Sequence, residues 1–175
     1  MAVARLVLGL GRVTAISIDG PAGGYTEGET PHMEAETEAF FRGLLVIRLA
    51  GRAAEDELLG SITAGAGGSS DSDLAQATEL AAAMETALGF AGASPLLYRP
   101  VEDRASLLAY NPLLAEHVNA RLEDAYDRAR DLIRRNRDAV RGLADALMEH
   151  DTLQGLTLVA ALREVRKRMV PEPEP

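Results

Sequence analysis

From residue 111 to residue 147 the apolar side chains return every three or four positions: Leu114, Val118, Leu122, Ala125, Ala129, Leu132, Val140, Leu143 and Leu147. Such a recurrence draws one stripe along a helix of 3.6 residues per turn and cannot be fitted to the period of two that a half-buried strand needs. Asn111-Pro112 ahead of it reads as a helix start, because an asparagine side chain takes up free N–H groups and proline suits the first helical position. The stripe breaks near residues 135–137, so the segment predicts two long helices or one bent one. Aromatic residues make up 4% of the 175 and tryptophan is absent, a mix that favours helices built of Ala and Leu over a sandwich or barrel. A chain of this length is expected to form one domain with a sizeable core.

The remainder of the chain is punctuated by glycine. Val3, Leu6, Val7 and Leu10 sit at helical spacing and Gly9 and Gly11 stop the pattern, predicting a short first helix. Residues 13–18 read V-T-A-I-S-I, a β-branched run closed by Asp19-Gly20-Pro21, and predict a strand and a turn. Residues 23–31 read as a loop or a brief return strand. Thr30-Pro31 predicts the start of a helix running to about Ala50, with a second helical piece ending near Gly60. Residues 61–72 form a Gly/Ser loop. Asp73 then opens a helix with Leu74, Ala77, Leu80, Ala81, Met84 and Leu88 on one face, Gly89 as its stop, and Asp73 and Gln76 as a capping box. Asp151-Thr152 is read as the cap of a last helix through Leu162, followed by a basic stretch and a frayed tail over residues 169–175. The class is mainly α, with a small β-sheet near the N-terminus.

Charge and composition exclude several functions. Acids outnumber bases 27 to 18, for a net charge of -9, so the field repels phosphate backbones and nucleic acid is not an expected partner. No cysteine is present, which removes disulfides, thiolate zinc sites and cysteine nucleophiles. The most apolar stretch, residues 40–50, is cut by Arg42 and Arg48 and falls short of the roughly 20 apolar residues that span a bilayer. Residues 1–11 lack the long apolar region of a secretory signal. A soluble, cytoplasmic chain is expected.

The candidate chemistry is sparse. His32, His117 and His150 are too far apart to form an i, i+4 ligand pair, and Glu116-His117 has Leu113 where an inverted zinc motif needs histidine. Residues 65–68 lack the G-K-[ST] of a phosphate-binding loop. Asp71 and Asp73 at a helix start read as capping groups, and Arg52 with Glu55 as an ordinary salt bridge.

Taken in order, five segments carry a resemblance. They are Gly23-Gly24-Tyr25-Thr26 after the V-T-x-I-x-I strand, then Gly51-Arg52-Ala53-Ala54-Glu55, then Ser72-Asp73-Leu74-Ala75-Gln76-Ala77-Thr78, then residues 84–90 with Leu96-Leu97-Tyr98, and finally Ala125-Tyr126-Asp127-Arg128-Ala129 with residues 143–153. Together they resemble the peptidase domain of FtsH-type ATP-dependent zinc metalloproteases across residues 2–162. The resemblance implies a helical metallopeptidase-like domain over residues 1–168 whose small sheet binds extended peptide along an edge strand, with Ile16, Gly24 and Tyr25 as substrate contacts. It implies that Asp73 is the third zinc ligand and that Glu55 supports the site from nearby. It further implies unfolded polypeptide substrates, self-association into six-fold rings, and a membrane anchor outside this chain with the peptidase facing the cytoplasm.

One departure bears on activity. In the family H-E-A-G-H runs directly into an A-V-A-like helix, so Met1 stands where the second histidine is expected and the 175 residues contain no H-E-x-x-H. One carboxylate neither holds zinc nor supplies a general base, so the chain as given is expected to bind no zinc and to be inactive. Two readings follow: a longer metalloprotease cut at its zinc helix, or a shortened peptidase-like scaffold for assembly or peptide binding.

Overall fold

The computed structural model of the chain describes residues 1–19, 24–30, 36–99 and 104–171. In chain order its elements are α1 (Ala2–Leu8), β1 (Arg12–Ser17), β2 (Tyr25–Glu29), α2 (Glu38–Leu59), α3 (Asp73–Thr86), α4 (Arg104–Tyr110), α5 (Pro112–Arg135), α6 (Arg137–His150), β3 (Thr152–Gln154) and α7 (Gly155–Arg168). The chain is mainly α, with one three-stranded sheet among the described residues. Its contacts gather into two compact units, one of Met1–Glu34 with Arg130–Pro175 and one of Ala35–Ala129.

The first unit begins with α1, which ends as the sequence indicates: Gly9 adopts φ 65 and returns its N–H to Arg5 and Leu6, a left-handed cap that glycine takes without a Cβ penalty. The apolar segment after it becomes β1, the central strand of an antiparallel sheet ordered β2-β1-β3, with an irregularity between Val13 and Ala15. Val3 from α1, Val13 and Ile16 from β1, Leu143 from α6, Leu153 from β3 and Leu158, Leu162 and Val165 from α7 form the core.

The third strand corrects the expectation that Asp151-Thr152 caps a helix. Leu153 is fully buried opposite Ile16, the Thr152 and Ser17 hydroxyls lie 2.7 Å apart, and the Ile18 N–H donates to the Asp151 carbonyl. Pairing with β1 satisfies this backbone, so the helix starts three residues later, with Gln154 as its cap and Thr157 accepting from the Gln154 N–H. Asp151 instead closes α6 with φ 56, donating its N–H to Leu147. The helical stripe breaks at Asn136, which is buried. Its Nδ2 donates to the Leu132 carbonyl and its Oδ1 accepts from the Val170 N–H.

The second unit is built on α2 and α3, which pack together. Thr37 caps α2 by accepting from the Phe40 N–H, so the helix begins later than Thr30-Pro31 implies; the expected start at Pro31 lies outside the described residues. Nor does α2 stop at Ala50. It runs through Gly51 to Gly60, which closes it with φ 68. Ala50 and Ala53 on either side of Gly51 have no exposed surface, and tertiary burial outweighs the roughly 1 kcal/mol that a mid-helix glycine costs. On α3, Ala77, Ala81 and Met84 are buried, whereas Leu88 falls beyond the helix end and is 38% exposed. Asn111 caps α5 as read, accepting from the Leu114 N–H. The expected turn at Gly20-Pro21 and the last four residues of the tail lie outside the described residues, and among those described no helix is long and apolar enough to cross a membrane.

Candidate functional site

Helix α2 presents Arg48 and Glu55 seven residues apart, two turns along one face and about 10 Å of rise. Across from Arg48 stands Asp73, the first residue of α3, with its Oδ1 3.7 Å from the Arg48 Nη1 and both side chains about one-third exposed. The cap of α3 is Ser72, not Asp73: its Oγ accepts from the Ala75 N–H at 3.2 Å. Gln76 completes no capping box with Asp73, because its Nε2 donates to the Asp71 carbonyl instead. The carboxylate of Asp73 is thereby left to face α2, where the free N–H groups of the first turn favour a negative charge. The neighbouring Asp71 carboxyl is held below the usual range by a hydrogen bond from the Ser69 side chain and by its own backbone N–H.

Glu55 is engaged by the loop between the two helices. Its carboxylate accepts from the Thr63 N–H at 2.7 Å and from the Thr63 hydroxyl at 3.0 Å, and the Thr63 Oγ1 accepts in turn from the Gly65 N–H, setting a short 3-10 turn over Ala64–Ala66. Its partner is therefore Thr63 rather than Arg52. The arrangement fixes the Gly/Ser loop at its root.

The remaining sequence-derived residues belong to the other unit. Tyr25 opens β2 and Gly24 precedes it; a Cβ on Gly24 would lie 3.0 Å from the Ser17 carbonyl oxygen, and Tyr25 is 42% exposed. Ile16 sits on the central strand, between Thr26 and Leu153, with its side chain in the core. Of the three, Tyr25 stands on, and Gly24 just ahead of, the strand that pairs on only one side among the described residues.

The described residues do not by themselves make up a zinc site. Among the described residues no three His, Asp or Glu side chains converge, whereas a catalytic zinc takes three protein ligands. His117 lies half-exposed on α5 with its Nδ1 3.8 Å from Glu85, His150 ends α6, and His32 lies outside the described residues.

A cluster that local spacing does not reveal lies in the second unit. Arg121 of α5 donates its Nε to Glu85, its Nη1 to Glu38 at 2.8 Å and its Nη2 to the Phe90 carbonyl. Glu85 is nearly buried, at 6% side-chain exposure, and Glu38 is 39% exposed. Burial alone would lower the Arg121 pKa, but the hydrogen bonds it donates to Glu38 and Glu85, and the charges of those carboxylates, outweigh it and raise it. The Arg121 hydrogen bond pulls the Glu38 carboxyl down, against partial burial and with help from Arg42. Beside this knot opens a cavity of about 630 Å³ lined by Leu45, Val46, Ala125, Arg42, Asp124 and His117 among others. The partners of Arg121 are 83, 36 and 31 residues away in sequence, so no sequence periodicity could have announced them.

Residues 9–160 match the sequence pattern of peptidase family M41. The chain is 36% identical over 155 residues to the ATP-dependent zinc metalloprotease FtsH of Acidothermus cellulolyticus, covering 79% of this chain and 21% of that protein. It is 36% identical over 154 residues to the ATP-dependent zinc metalloprotease FTSH 6, chloroplastic, of Arabidopsis thaliana, covering 80% and 22%. With the Chloroflexus aggregans FtsH it shares 31% identity over 163 residues, 84% of this chain and 24% of that protein. The chain thus spans between a fifth and a quarter of these relatives.

Proposed function

Because the chain belongs to peptidase family M41, we propose that it is the peptidase-type domain of an ATP-dependent zinc metalloendopeptidase that degrades unfolded or membrane-derived polypeptides. The observation that carries this reading is the match across residues 9–160, which takes in nearly every element from β1 to α7. In this reading Asp73 holds the third-ligand position and Glu55 supports it by fixing the loop that leads into α3. Gly24 and Tyr25, backed by Ile16, line the strand on which extended substrate lies. Copies of the domain assemble as a six-fold ring, fed by an ATPase module and anchored at a membrane with the peptidase facing the cytoplasm.

The 175 residues hold no H-E-x-x-H, so by themselves they supply neither the two imidazoles nor the general-base carboxylate that hydrolysis requires. The domain alone is inactive in this reading. A second reading, a non-catalytic scaffold, draws support from the ion pair between Asp73 and Arg48, which gives the carboxylate a counter-charge without metal.

The two readings separate in one experiment. The chain is dialysed against zinc and assayed on casein, as it stands and with an H-E-A-G-H segment placed directly ahead of Ala2. The peptidase reading expects no zinc in the first protein and one zinc per chain with casein cleavage in the second, both lost on Asp73→Asn. No gain of zinc in the extended protein overturns the peptidase reading and leaves the scaffold.

A further inference from the structure

β2 is the outer strand of its sheet: β1 pairs with one side, and among the described residues no strand pairs with the other. Every second residue of such a strand turns its N–H and C=O to the open side, a template for an extended chain. Strand geometry places residues 25, 27 and 29 on one face, and Tyr25, Glu27 and Glu29 are all exposed. On the opposite face, a Cβ on Gly28 would lie 3.1 Å from the Arg5 Nε, and Arg5 is itself buried. That cation is therefore behind the sheet and the two carboxylates are in front.

The carboxylates decide between occupants. A second copy of β2 paired antiparallel would set glutamate against glutamate, and like charges directly opposite are destabilising. An added strand with Lys or Arg at alternate positions meets opposite charges instead, and the net charge of -9 draws such a chain in from a distance. Arg12 of β1 stands in register with Glu29, whereas Glu27 is opposite the uncharged Ala15. Glu27 is thus the stronger of the two determinants.

We propose that the open edge of β2 selects extended polypeptides bearing Lys or Arg at alternate positions, through Glu27 and Glu29. The inference rests on reading β2 as a peptide-binding edge and adds the charge of the substrate segment. The test uses the 175-residue chain with fluorescein-labelled peptides of about eight residues, enough to run the length of the strand, alternating valine with lysine or valine with glutamine. Binding is followed by anisotropy and by the amide resonances of residues 25–29. Two opposite-charge cross-strand pairs should make the lysine peptide bind between about 2-fold and about 30-fold tighter than the glutamine peptide. The gap should shrink in high salt and close in E27Q/E29Q, a surface variant whose fold circular dichroism verifies, with the glutamine peptide bound as before. Equal affinities for the wild type, or a lysine advantage that survives E27Q/E29Q, overturn the charge selection and leave the edge reading intact. If neither peptide moves the β2 amides, the edge reading itself falls and the selection falls with it.

Discussion

Replacing Arg121 by Met keeps most of the side-chain volume and deletes the charge that Glu85 faces. Glu85 is 6% exposed and Arg121 14%, so the variant leaves a carboxylate out of water without its partner, a change that costs about 3–5 kcal/mol when a buried pair is broken from one side. The contact with Glu38, which is 39% exposed, adds at most about 1 kcal/mol, because solvent screens it. With a urea slope of about 2 kcal/mol per molar, the midpoint of the transition, followed by far-UV circular dichroism, should fall by about 1.5–3 M. The double variant Arg121→Met, Glu85→Met decides the cause. If the cost is the stranded charge, removing that charge as well recovers most of the loss, since apolar replacement of both partners is often close to neutral. A single variant that costs less than about 1 kcal/mol, or a double variant as unstable as the single, would refute the reasoning. The pH dependence carries a sign of its own. Glu38 is depressed chiefly by the Arg121 hydrogen bond, so its stabilising share is present above the carboxylate's unfolded pKa and is lost as pH falls through the lower folded value. In Arg121→Met that acid-side loss should flatten.

Leu153→Ala opens a cavity against Ile16 at a residue with no exposed surface and should cost about 2–5 kcal/mol in thermal or urea unfolding. Glu55→Ala removes the acceptor of the Thr63 N–H and hydroxyl; this exposed site should lose about 0.5–1.5 kcal/mol, with faster hydrogen exchange at the Thr63 amide as the specific readout. Gly28→Ala would put a Cβ 2.7 Å from the Arg12 carbonyl oxygen and 3.1 Å from the Arg5 Nε, so β2 must shift, costing about 1–3 kcal/mol and moving the Arg12 and Gly28 amide resonances.

Much of the helical framework was legible because its signals are local. Gly9 and Gly60 end helices by taking left-handed φ values, and Asn111 caps α5 through an N–H three residues on. Where a local signal competed with a distant one, the distant one prevailed. Gly51 reads as a break, yet α2 continues through it because Ala50 and Ala53 are buried. Asp73 reads as a cap, but Ser72 beside it takes the role. The candidate site was legible only as an ordered set of motifs, since Asp73 meets Arg48 from another helix and nothing in residues 61–72 announces that Thr63 will bind Glu55.

Period and capping alone determined a mainly α chain with one early strand, because a helix satisfies its backbone within four residues and its stripe of apolar side chains is written in consecutive positions. Tertiary structure decided that Thr152–Gln154 is a strand and that Arg121 ties Glu38, Glu85 and Phe90 together. The Ser17 and Thr152 hydroxyls that meet at 2.7 Å are 135 residues apart. Contacts over such separations leave no periodicity in the chain, and they exist only once the packing that closes the intervening loop has compensated its entropy.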